Sequence, residues 1–433
     1  MEKYKVRLAK FSVLQWFFWS SWATYGGYLV YYLSDMGYSN IEIGTIISTR
    51  TLLGLLGEPI LGYLSDSYHT NKKIFILGML AIAVVALPFP YYNWWLILIT
   101  TGIIGFFWAP QQSILDSWIL KSSSKLASNY GFMRAWGSLG FAVMVVMFGK
   151  VFDVFGWGIL FISFTILLTI ASIIASFIKD VPHNNLEYEV ELTEKNDSSH
   201  PDKIEGNNIG RDNKRKDNIS DNNISRDISD NKSEKVSRNP LILFKNIEYT
   251  MLILSAILVF IPNNIIFIYL PNFIKGVGGT TTLLGVVLFI NAVSEAPIFF
   301  LGRKMLVKFK PIPLLLLSTI FYLLRVIIVY EATSHINFLF FASLQSLSFG
   351  VLLITSRFHI NFLAPEKLRT TAQSIFTMSI FGVGGIIASL FGGAIMDYYG
   401  MTVLYRISLI LSLTGILLIS ILYFYRKFRG KES

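Results

Sequence analysis

The chain has 433 residues, 53% of them hydrophobic and only 15% charged, with a mean hydropathy of +0.55. That balance excludes a soluble globular domain, because uncharged runs of about 20 residues recur and each is long enough to cross a ~30 Å hydrocarbon core. A net charge of +10 raises nucleic acid as a partner, while the absence of cysteine excludes disulfides, Cys-ligated zinc and iron–sulfur clusters.

The first apolar run begins near Phe11 and reaches Leu33, too long for the core of a cleavable signal, and no small-residue cleavage pattern follows it. Apolar runs between polar, Gly and Pro punctuation predict helices over 10–33, 41–65, 74–92, 95–120, 128–152 and 157–178, then 246–270, 281–304, 312–330, 336–358, 370–396 and 401–425. Between the two sets, residues 179–245 turn to Asn, Asp, Ser, Lys and Arg, as in DNKRKDNISDNNISRDISDNKSEK. Such a segment buries too little apolar surface to offset its ordering entropy. The expected organisation is an all-α membrane protein with a six-helix bundle over 1–178, a disordered cytoplasmic linker over 179–245 and a second six-helix bundle over 246–433.

The basic residues fall in alternate loops. With a cytoplasmic N-terminus, one side carries the N-terminal lysines, Lys72 and Lys73, Lys121 and Lys125, the linker, the 303–310 loop and the C-terminal tail. The other side carries Lys150 and Lys275. This positive-inside asymmetry predicts a multi-pass protein of the cell membrane with both termini cytoplasmic, so the basic balance reflects topology and not nucleic-acid binding.

A charge at the centre of a membrane helix costs ~2.5–3.5 kcal/mol on insertion scales, so embedded charges need a partner or a water-filled cavity. In the first helix Gln15, Trp22 and Tyr25 lie near one face, which suits either packing or a wall on which a ring stacks. In the second, Arg50 requires balance from Asp35, Glu58 or a bound anion. Asp116 in helix 4 and Arg134 in helix 5 both sit ~8–10 Å deep at ~1.5 Å per residue and are expected to meet. A carboxylate beside a forked guanidinium suits the hydroxyls of a sugar or nucleoside, and equally a structural ion pair. In helix 7, Asn263 and Asn264 beside Pro262 offer hydrogen bonds where the helix loosens. Glu295 in helix 8 is the first choice for a proton carrier and Glu58 the second. Arg325 is expected to snorkel or pair between helices, and Arg357 with His359 to anchor at the interface.

The two halves share a unit. Gly149-Lys-Val-Phe-Asp153-Val-Phe-Gly156 closes helix 5 and Gly393-Ala-Ile-Met-Asp397-Tyr-Tyr-Gly400 closes helix 11, both reading G-x-x-x-D-x-x-G. Glu58-Pro59-Ile60 in helix 2 is answered by Glu295-Ala296-Pro297-Ile298 in helix 8. Matches in the same order indicate a duplicated unit, with the solute path between the halves.

After helix 2 the chain reads Gly62-Tyr-Leu-Ser-Asp66-Ser-Tyr-His-Thr-Asn-Lys72-Lys73, which resembles the helix 2–3 loop signature of the major facilitator superfamily. In that reading Gly62 allows close helix contact, and Asp66 meets a helix end or basic group when the cytoplasmic face closes; with Lys72 and Arg50 these form a gating set. A second resemblance rests on Ser12 through Tyr28, on Arg134-Ala-Trp-Gly-Ser138-Leu-Gly-Phe141, on Ser294-Glu295 and on Leu368-Arg-Thr-Thr-Ala-Gln373. These segments look like those of the nucleoside:proton symporter family. The resemblance implies the major facilitator fold, a solute site lined by Arg134, Ser138 and Phe141, and a place for Glu295 at that site or on the proton path. That family carries a functional carboxylate in helix 10, whereas residues 336–358 contain no Asp or Glu. The 18-residue spacing of Asp116 and Arg134 is similar to the acid/arginine pair of the lactose permease family.

The expected function is secondary active transport: proton-coupled uptake of a small polar organic solute, of nucleoside or sugar class, by alternating access. An exporter or antiporter of small amphiphilic compounds on the same fold is the alternative. The chain has no H-E-x-x-H, no G-x-S-x-G and no phosphate-cradling glycine loop, so an enzyme is not expected. Neither a cofactor nor a metal is expected, and the expected partners are the solute, H⁺ and the bilayer, with the protein a monomer.

Overall fold

Ser39 begins the second helix with a capping box: its hydroxyl accepts from the Glu42 amide, while the Glu42 carboxylate accepts from the Ser39 amide at 2.9 Å. Asn93 and Asn246 cap two later helices in the same way, accepting from Leu96 and from Glu248 and Tyr249. The computed structural model describes residues 2–180 and 240–428, apart from 296, 299–301, 303, 304 and 307. The linker expected over 179–245 therefore lies, from 181 to 239, outside the described residues.

Besides the short helix Ser124–Ser128 and 3₁₀ turns, twelve longer helical segments follow among the described residues: α1 (Glu2–Asp35), α2 (Asn40–Ser67), α3 (Asn71–Ala86), α4 (Trp94–Ser122), α5 (Tyr130–Phe155) and α6 (Leu160–Ser176). The second set is α7 (Ile247–Gly276), α8 (Thr281–Ser294, with described residues helical beyond it), α9 (Pro311–Tyr330), α10 (His335–Leu363), α11 (369–399) and α12 (401–428). Eight helical stretches among the described residues are long and apolar enough to cross a membrane, the last of them, Glu366–Phe428, containing both α11 and α12. Prolines interrupt the hydrogen-bond ladder inside α2 (Pro59), α4 (Pro110) and α7 (Pro262 and Pro271). Wide π-helical turns do so at Ser346–Gly350 in α10 and Met378–Val383 in α11. The duplicated motif ends each time on a glycine with positive φ, Gly156 at 72° and Gly400 at 80°, and there the chain leaves one helix for the next.

The tryptophan-rich first half is held by stacked rings. Trp108 lies against Phe18 at 4.7 Å and Trp22 at 4.4 Å, and Tyr25 against Phe164 at 4.8 Å. This array fixes the indole of Trp22, which Gly26 accommodates by having no Cβ.

The hydrogen bonds and ion pairs that join the two halves gather at one end. The Asp153 carboxylate, at the close of α5, accepts from the amides of Thr281 and Thr282, both at 3.0 Å, at the start of α8. The Asp397 carboxylate, at the close of α11, accepts from the Ile41 amide at 2.8 Å and from Asn40 Nδ2 at 2.7 Å, at the start of α2. Each half thus caps a helix of the other, a negative charge meeting a positive helix terminus. A Cβ at Gly149 or at Gly393 would run into the backbone of Thr281 or Asn40, so these glycines permit the close approach that the caps need. Lys275 joins Asp35 across the same end, and the Tyr269 hydroxyl donates to the carbonyls of Ser389, at 2.7 Å, and Asn40, at 3.2 Å.

Candidate functional site

Between the halves lies a cavity of about 290 Å³, walled by Trp22, Arg50 and Phe141 from the first half and by Asn264, Phe267 and Leu288 from the second. A second cavity of about 190 Å³ shares Trp22 and Arg50 and adds Glu58, Trp108 and Phe381. Aromatic walls with a few polar groups are the usual make-up of a site for a ring-bearing solute. Arg50 lies 10 residues into α2, about 15 Å from its start at ~1.5 Å per residue, well within the membrane-crossing part. Its guanidinium sits over the Trp22 ring at 5.3 Å. Asp35, one of its expected partners, is engaged elsewhere, with Lys275 and with Trp157 Nε1 at 2.8 Å.

Arg325 is the second embedded arginine, and its surroundings are the opposite. It is 1% exposed, and its head donates to the Phe341 carbonyl at 3.1 Å, to Ser348 Oγ at 3.1 Å, to Asn263 Oδ1 at 3.3 Å and to Asn291 Oδ1 at 3.5 Å. The Phe341 ring lies 4.1 Å beneath it. Of the two alternatives expected for Arg325, snorkelling or pairing between helices, the second is what is found. Asn263 is thereby committed to Arg325. Its neighbour Asn264, a helical step of about 100° further round, faces the cavity and donates to the Ile380 carbonyl at 3.0 Å.

Glu295 follows α8 and is in the wall of neither cavity. Gln345 Nε2 on α10 donates to its Oε1 at 2.8 Å, and the charge of Arg325 is close enough to act on it. An amide thus faces Glu295 from α10, a helix that holds no Asp or Glu over residues 336–358. Sequence reasoning passed over Gln345 and Asn291, whose one signal was a polar side chain in an apolar run.

Asp116 and Arg134 make no ion pair with each other, contrary to the expected meeting. Gln112, one turn earlier on α4, donates to Asp116, and the Tyr130 hydroxyl interacts with both charges. Arg134 rests over the Trp19 ring at 4.4 Å. Ser138 is exposed on α5, while Phe141 lies in the cavity wall. Gln15 is fully buried, close to Gly137 and Trp19, and both its amide atoms lack a hydrogen-bond partner, while the buried Tyr25 hydroxyl lies against Thr101. Buried polar atoms without partners are where water or a polar ligand is to be sought.

At the end away from the caps, Asp66 pairs with Lys121 at 3.3 Å on a largely exposed surface, and Lys72 donates to the Ser176 carbonyl at 2.6 Å. Nothing lies within 4 Å of where a Cβ at Gly62 would stand, so the close helix contact expected of this glycine is not made. His359, expected at the interface, is 1% exposed, close enough to the buried Glu248–Arg426 pair for those charges to act on it, whereas Arg357 is exposed.

Comparison with known proteins gives this geometry its setting. Residues 8–407 match the MFS_1 like family. The maltose permease of Geobacillus stearothermophilus is 23% identical over 412 residues, 93% of this chain and 91% of the permease. Among solved structures, the nucleoside transporter NupG superposes with a TM-score of 0.71 at 16% identity over 99% of both chains. A D-xylose–proton symporter superposes with a TM-score of 0.63 at 13% identity over 95% of this chain and 96% of the symporter.

Proposed function

Because this chain belongs to the MFS_1 like family, and so is a multi-pass solute transporter on the major facilitator fold, we propose that it takes up a small polar solute of sugar or nucleoside class in symport with protons. The observation that carries this reading is the cavity between the halves, to which Trp22, Arg50 and Phe141 contribute from one side and Asn264 and Phe267 from the other. A site shared by two bundles and closed at one end by Asp153 and Asp397 is what alternating access requires. The permease and the nucleoside transporter that the chain resembles carry the two solute classes in their names.

In this reading both termini are cytoplasmic and the Asp153/Asp397 end faces outward, so the closed end is the outer one. The protein works as a monomer in the cell membrane, and residues 179–245 tether the two bundles. Glu295 takes up the proton in the loaded transporter and releases it on the cytoplasmic side, with Gln345 holding its carboxyl group. An inward proton driven by the membrane potential supplies ~2.3 kcal/mol per 100 mV, enough to concentrate a solute roughly fiftyfold. Arg134, over the Trp19 ring and two turns before the cavity-wall residue Phe141 on α5, is a second contact for the solute.

The test is uptake of radiolabelled uridine and maltose into proteoliposomes under an inward proton gradient, with wild type beside Glu295→Gln. Accumulation that the gradient drives in the wild type and that the variant loses, while solute exchange without a gradient persists, is the expected result. Uptake of neither solute, nor of glucuronate or uridine 5′-monophosphate under the same gradient, would overturn the sugar and nucleoside assignment.

A further inference from the structure

Two arginines lie in the apolar interior, and they are treated differently. Arg325 spends its donors on four protein acceptors in a closed network. Among the described residues the Arg50 guanidinium makes no hydrogen bond and no ion pair, and it lines both cavities. The guanidinium lies over the Trp22 ring, which leaves its edge, where all its N–H groups point, without an acceptor among the described residues.

The charged and titratable groups around it do not fill that place. Glu58 lies eight residues further along α2, about 12 Å along the helix at ~1.5 Å per residue, beyond ion-pair distance. The Tyr25 hydroxyl is within electrostatic reach but is a neutral group, and it lies against the Thr101 side chain. Asn264, across the cavity, already donates one N–H to Ile380. A forked cation in a low-dielectric cavity, with its donors unspent, is complementary to an oxyanion, which accepts two parallel N–H bonds in the plane of the fork.

We propose that Arg50 anchors an oxyanion of the transported solute, so that the solute is a sugar- or nucleoside-class molecule bearing a carboxylate or phosphate whose ring lies in the cavity between Phe141 and Phe267. This rests on the uptake reading above and narrows it from polar solutes in general to acidic ones. Trp22 serves the anchor: stacking on Trp108 holds the indole still, and the indole in turn steers the guanidinium that lies over it. Arg325 is the internal contrast: with its donors satisfied by the protein it offers a ligand nothing.

Calorimetric titration of the purified full chain tests this with matched probes. These are glucose against glucuronate and glucose 6-phosphate, uridine against uridine 5′-monophosphate, and inorganic phosphate by itself. At least one acidic probe is expected to bind tenfold or more tighter than its neutral parent. The carboxylate and phosphate arms identify which oxyanion it is. In Arg50→Gln that preference should fall to parity, and Arg50→Lys, which keeps the charge but not the fork, should retain part of it. The lysine variant also decides the matter if the glutamine variant does not fold. Neutral parents binding as tightly as the acids, or a preference that survives in both variants, would overturn the proposal and leave the sugar and nucleoside reading standing. Inorganic phosphate binding as tightly as the sugar and nucleoside phosphates would instead sink the sugar and nucleoside reading while keeping the anchor, and no binding by any probe would sink both.

Discussion

Asp153 and Asp397 occupy the same place in the two repeats, and each caps the first turn of a helix in the opposite half, α8 and α2 respectively. A carboxylate at a helix N-terminus contributes about 0.5–2 kcal/mol. The two caps therefore hold that end of the protein shut with a free energy comparable to the balance between transport states. Asp153→Asn or Asp397→Asn should raise the open population at this end several-fold, and the double variant should show nearly the sum of the two effects, since the caps share no partner. The chain has no cysteine of its own. The rate of maleimide labelling of a single cysteine placed at Ser34, whose hydroxyl accepts from Lys275 of the other half at 2.9 Å across this end, reads the opening, and an unchanged rate in both variants would contradict the role of the caps.

Gly393 and Gly62 should respond in opposite ways to alanine. A Cβ at Gly393 has the Asn40 backbone in its way, and one at Gly62 has open space. Gly393→Ala should open the capped end in the same labelling assay. Gly62→Ala should leave labelling unchanged and raise Tm slightly, because alanine is favoured over glycine in a helix by about 1 kcal/mol.

The two embedded arginines should separate in a stability measurement. Arg325→Leu strands Asn263, Asn291 and Ser348 and should cost about 1–3 kcal/mol for the buried acceptors left unmet. Arg50→Gln removes a charge to which the protein gives no acceptor and should leave Tm unchanged or raised. Equal losses of Tm for the two would show that Arg50 has a protein partner after all.

Gln345→Leu should weaken coupling without emptying the solute site. The Gln345 amide is bonded to Glu295, and neither residue is in the wall of the two cavities described above. Losing one hydrogen bond of about 1 kcal/mol frees the carboxyl group to adopt other orientations. Gradient-driven accumulation should fall several-fold while solute affinity stays within a factor of two. A fall in affinity with coupling intact would place Gln345 at the solute instead.

The Asn263–Asn264 pair shows how far one dimension reaches. Both stand beside Pro262 in an apolar run, and the sequence marks them equally as hydrogen-bonding residues. The phase of α7 then commits Asn263 to Arg325 and turns Asn264 to the cavity. The expected meeting of Asp116 and Arg134 failed for a related reason. Depth along each helix was readable from residue counts, but Gln112 and Tyr130, one turn away on the same helices, engage the charges instead. Gln15 and Tyr25 were singled out for sharing a face with Trp22, yet that face is mostly buried among rings.

What the sequence determined by itself was everything set by local hydropathy: a membrane protein, twelve helical segments, and a repeat visible in two G-x-x-x-D-x-x-G motifs. These follow because a helix in lipid satisfies its own backbone hydrogen bonds, so length and apolarity suffice to define it. Only the tertiary structure decided that the motif's aspartates cap each other's halves, and that Arg325 is spent while Arg50 is free. The side-chain partners of Arg325 lie 62, 34 and 23 residues away on three other helices or turns. Whether a buried cation is satisfied depends on which side chains converge on it in space, and that convergence leaves no periodic trace along the chain.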